Sequence, residues 1–137
     1  MHLLSSDAAT EYEWRSAAVV GLGDLLVIAL LVLVGRVDHG YPVLGDPLGS
    51  LESIVPFVIG WVLVSALTGI YASQALRGPR VAAVVTIVTW LAAVNVGFIL
   101  RSSPAFDGGA AWPFTLIMTV TGLAALVAWR VVFSIVR

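Results

Sequence analysis

Residues 17–34 read AAVVGLGDLLVIALLVLV, an apolar run interrupted only by one carboxylate, Asp24, and two nearby glycines, Gly21 and Gly23. A helix needs about 20 predominantly apolar residues to cross the roughly 30 Å of a bilayer's hydrocarbon. A helix resting on a soluble core keeps a polar face for water, and this run has none. The stretch therefore predicts a membrane-spanning helix. Asp7, Glu11 and Glu13 lie upstream where a secretory signal carries basic residues, and no small-residue cleavage site follows, so the segment is expected to stay in the membrane.

Three more runs of the same kind follow, at about residues 54–72, 81–100 and 114–133. The expected fold is all-α: a polytopic membrane protein of four transmembrane helices in one membrane domain over residues 1–137, with residues 1–13 as a mobile polar tail. Composition agrees. The 137 residues are 60% hydrophobic and 11% charged, whereas about a quarter of a soluble domain is charged because water must solvate its surface.

The same composition removes several function classes. There is no cysteine, hence no disulfide, iron–sulfur or thiol chemistry. There is no lysine, hence no Schiff base; the seven cations are all arginine. His2 and His39 fall outside the apolar runs, so no haem is expected between helices. No basic stripe points to nucleic acid. No nucleophile–base set, phosphate loop or zinc spacing is present, so the chain is not expected to be an enzyme, and no metal or cofactor is expected. The partners expected are the lipid bilayer and either a homo-oligomer or a membrane complex.

Arginine placement orients the chain. With four crossings, Arg15, Arg77, Arg80, Arg130 and Arg137 share one side and only Arg36 and Arg101 lie on the other. Loops rich in arginine stay cytoplasmic, so both termini are predicted cytoplasmic and the protein is expected in the cell membrane. Trp14, Trp112, Trp129 and Tyr71 fall near predicted helix ends, the level that amphipathic rings prefer.

The two halves share a plan. Helices one and three end at Arg36 and Arg101, and helices two and four are expected to open with Pro56-Phe57 and Pro113-Phe114, since proline suits a first helical turn. This reads as one helical hairpin used twice in parallel orientation, or as punctuation common to four-helix proteins. Aligned on the arginines, Asp24 corresponds to Thr89.

Asp24 is the residue with most chemical content. An aspartate at a helix centre costs about 2.5–3.5 kcal/mol on insertion scales, so it is expected to face the bundle and find partners. Counting about 1.5 Å per residue places it roughly 12 Å from the cytoplasmic end. Ser65, Thr86, Thr89 and Thr121 lie at a similar level, and Arg130 is close enough to reach it. Two readings stay open: a proton- or cation-coupling acid of a small oligomeric transporter or channel, or a structural ion pair holding helices one and four together. Asn95 in helix three is expected to bond across to another helix. Thr115, Thr119, Thr121, Gly122 and Ala125 give helix four a small, weakly polar packing side. On the outer surface, Gly35-Arg36-Val37-Asp38-His39-Gly40 gathers charge, with Asp46 and Glu52 following. Loop ordering is the reading preferred there, and a pH sensor through His39 is the alternative.

These stretches resemble a family. GDLLVIALLVLVGRVDHG (23–40), PFVIGW (56–61), a third helix ending at Arg101, WPF (112–114) and AWR (128–130) are similar to small membrane proteins grouped as domain of unknown function 3054, frequent in haloarchaea and actinobacteria. The resemblance covers all four helices. Its motifs fall on Asp24, Gly35, Arg36, His39, Gly40, Pro56, Phe57, Pro113, Phe114, Trp129 and Arg130, while Asp38 stands where a small polar residue is expected. The family has no assigned activity, so the resemblance implies an architecture and no mechanism. The sequence thus favours a structural or accessory membrane protein over a transporter or a sensor.

Overall fold

The computed structural model describes residues 2–72, 78–106 and 108–136, with side chains described from Trp14 onward. It is all-α: α1 (His2–Asp38), α2 (Pro47–Thr68), α3 (Pro79–Arg101) and α4 (Phe114–Val136). Each of the four contains a stretch long and apolar enough to cross a membrane, in α1 the part Trp14–Asp38. The fold is that of a polytopic membrane protein. Arg77, Asp107 and Arg137 lie outside the described residues.

Local chemistry sets the ends. No glycine or proline occurs between Met1 and Gly21, so nothing interrupts the backbone of α1, which begins at His2 rather than near residue 17. The expected 1–13 tail is thus helical in backbone from residue 2; its side chains lie outside the described set. Gly40, at φ +79°, turns the chain after α1, where Tyr41 N–H bonds Arg36 O at 2.8 Å.

α2 starts earlier than the sequence predicted. The Asp46 carboxylate accepts from Gly49 N–H at 3.1 Å, Pro47 occupies the first turn, and the polar residues Ser50, Glu52 and Ser53 continue the helix instead of the loop. Pro56 is therefore inside α2 and buried, not at its start. A membrane helix tolerates this where neighbouring helices cover the disturbed turn. Gly69, at φ +66°, closes α2 with its N–H on Ser65 O. The matched Pro-Phe openings of the two hairpins are thus lost: Pro113 directly precedes α4, and Pro56 does not open α2.

The helices form an up-down-up-down bundle. α3 packs closely against α2 and α4, and α1 leans on α2 and α4 through fewer residues. Gly60 lies against the Ala93 carbonyl, letting α2 and α3 approach backbone to backbone. Phe57, Phe98 and Phe114 meet edge to face with ring centroids 5.7, 5.8 and 6.3 Å apart. Trp61 and Trp90 fill the middle, 6.4 Å apart, with Trp90 Nε1 donating to Thr119 O at 3.0 Å.

Two buried stripes position the site. On α1, Ser16, Val20, Asp24, Ile28 and Val32 face inward at every fourth residue; on α4, Met118, Gly122, Leu126 and Arg130 do the same. Residues at this spacing share one helix face. The two charged side chains thus lie on the two inward stripes, while Leu22, Leu26, Leu30 and Val34 are exposed on the outer face of α1, where lipid would lie.

Candidate functional site

The site lies where α1, α4 and the end of α2 converge. Asp24 is fully buried, and Arg130 nearly so. Arg130 Nε donates to Asp24 Oδ1 at 3.0 Å, and Nη2 donates to Oδ2 at 2.6 Å. This is a bidentate pair, a geometry that the planar guanidinium fits better than any other cation. Tyr71, just past the end of α2, donates its hydroxyl to Asp24 Oδ2 at 2.6 Å. Trp61 Nε1 in turn donates to the Tyr71 hydroxyl at 2.8 Å.

The guanidinium is held on its other side as well. Its Nη1 reaches Ile70 O at 3.4 Å, and its carbon lies 5.1 Å from the Tyr71 ring centroid and 5.9 Å from that of Trp61, within cation–π range. Gly23 leaves the space that the Trp129 indole occupies, so the residue before Arg130 packs on the residue before Asp24. Gly21 faces the Tyr71 ring, 3.5 Å from where a Cβ would stand. A chain Trp61–Tyr71–Asp24–Arg130 therefore ties α2, α1 and α4 together.

Of the residues that the sequence placed at the level of Asp24 or within reach of it, Arg130 bonds the carboxylate, whereas Thr86, Thr89 and Thr121 bond elsewhere. Thr89 is buried but pairs with Thr68, Oγ1 to Oγ1 at 3.0 Å, bridging α3 and α2. Thr86 donates to Ala82 O of its own helix, and Thr121, exposed, to Ile117 O. Equal depth is no measure of shared facing. Asn95 does not bond across to another helix: it is exposed and donates to Leu91 O one turn back at 2.6 Å.

The turn between α1 and α2 is arranged by Arg36. It bonds Ser53 Oγ at 2.9 Å, Pro42 O at 3.0 Å and Asp46 Oδ2 at 3.3 Å, joining the end of α1 to the start of α2. Asp38 and His39 are exposed, and His39 Nδ1 contacts Gly35 O at 2.8 Å. Arg101 bonds Gly109 O at 2.7 Å and lies over the Phe114 ring.

Sequence reasoning missed Tyr71 and Trp61. Its position near a helix end gives Tyr71 the look of an interfacial aromatic. Trp61 carried a usable signal: an indole N–H in mid-membrane needs an acceptor.

Fold and site together define the class: a four-helix polytopic membrane protein with a buried arginine–carboxylate pair linking its first and last helices. Residues 14–133 match the family model for a protein of unknown function, DUF3054, and the chain belongs to that family. Comparison with curated proteins and with solved structures finds no match for it.

Proposed function

We propose that this is a structural or complex-forming membrane protein in which the Asp24 site fixes helix packing. The observation that carries this reading is saturation of the carboxylate: both oxygens are engaged by Arg130, one of them also by Tyr71, and Asp24 has no exposed surface. A coupling acid must exchange partners with water or a transported ion, and such acids in membranes face cavities or pathways. A surface cleft among the described residues is lined by residues of α3, α4 and their connection, and Asp24 is not among them. The alternative, a transporter using Asp24, has no comparable observation behind it, and neither does a sensor at the outer turn.

Reconstitution into vesicles containing a pH-sensitive dye tests the proposal. Wild-type protein is expected to pass no more protons down an imposed gradient than empty vesicles, and Asp24→Asn is expected to alter thermal stability alone. A proton flux that Asp24→Asn abolishes while the variant stays as stable as wild type contradicts the reading.

A further inference from the structure

Asn95 lies six residues before Arg101, about 9 Å inside the outer end of α3. It faces outward within the hydrocarbon layer, and among the described residues its amide makes a single hydrogen bond, to Leu91 O. The remaining N–H and the carbonyl have nothing to bond in lipid tails, and polar groups left unsatisfied there are costly. Its neighbours on that face are ordered. Val84, Val88, Leu91 and Asn95 follow one another at spacings of four, three and four residues, and all are exposed. This is the seam pattern of two helices packed at a shallow angle, and Ala92 beside it allows close approach.

We propose that this face of α3 is the contact between two copies of the chain, related by a two-fold axis along the membrane normal. A carboxamide carries donor and acceptor in one plane, so two copies of Asn95 brought together by a two-fold axis satisfy each other. A charged side chain on this face would meet only its like. Val88 and Leu91 on the same face alternate a β-branched with a γ-branched residue, which suits a two-stranded seam in which one polar residue sets the register. Beside the seam, a cleft of about 660 Å³ lined by Asn95, Phe98, Trp112, Thr115 and Thr119 gives the second copy's side chains a place to seat. The inference uses none of the residues of the Asp24 site and stands or falls separately from the proposed function.

The absence of cysteine makes the test clean. Full-length Val88→Cys protein in lipid vesicles is expected to form a disulfide-linked dimer on mild oxidation, and Leu63→Cys, exposed on α2, is not. Energy transfer between labelled copies at falling protein-to-lipid ratio is expected to show self-association about tenfold weaker in Asn95→Val, the loss of two interhelical bonds, and close to wild type in Asn95→Gln. A monomer at every ratio, with or without a bound lipid, overturns the proposal. So does equal cross-linking from both positions, or an Asn95→Val variant that associates as well as wild type.

Discussion

Arg130 grips both oxygens of Asp24, at 3.0 and 2.6 Å, across a separation of 106 residues in the chain. The pair joins the first helix to the last and closes the bundle. On the function proposed above, it is this directed contact that fixes α1, which leans on its neighbours through few residues.

Tyr71 is the second support of the carboxylate. Tyr71→Phe removes one bond to a charged acceptor and leaves Trp61 Nε1 without its own acceptor. The expected cost is about 1.5–3 kcal/mol, read from unfolding in detergent or bicelles. Trp61→Phe is expected to cost less than Trp61→Ala, because the ring still packs on Trp90.

Gly23 is expected to tolerate no side chain. A Cβ there would enter the Trp129 ring, so Gly23→Ala should destabilise by about 1–3 kcal/mol. Trp129→Leu in the same chain should recover part of the loss. A Gly23→Ala variant with unchanged stability would show that the Trp129 packing is misassigned.

The Arg36–Asp46 pair, in the turn between α1 and α2, offers a contrast. Asp46 is half exposed, and exposed pairs contribute about 0–1 kcal/mol. Arg36→Gln is therefore expected to cost far less than any change at Arg130, and its effect should shrink in high salt. Equal losses at the two arginines, measured by the same unfolding assay, would contradict this ranking.

Orientation is open to direct labelling. With cytoplasmic termini, Leu44→Cys in the first outer loop should react with a membrane-impermeant maleimide in intact cells, and Ala72→Cys should react only after lysis. The reverse pattern would invert the topology drawn from the arginines.

Much of this architecture was legible in the sequence because a bilayer imposes so few solutions. Length and apolarity alone mark four spans, and an aspartate in the first of them must face inward. Facing is harder to read than depth. Thr89 and Thr121 share a level with Asp24 yet bond elsewhere, since rotation about a helix axis depends on packing that the sequence does not display. The start of α2 was hidden because Ser50, Glu52 and Ser53 resemble a loop until the Asp46 cap and Pro47 are seen together. Tyr71 was hidden for a related reason: it lies beyond the helix proper, and only the Gly69 turn returns its hydroxyl to Asp24.

The most direct test of the central claim is a double-mutant cycle on Asp24→Asn and Arg130→Gln, read as unfolding free energy in bicelles. Each single change strands a buried partner and is expected to cost about 3–5 kcal/mol. The double variant is expected to cost no more than the worse single one, giving a coupling energy of about 3 kcal/mol or more. Losses that simply add, or an Asp24→Asn protein as stable as wild type, would contradict the account.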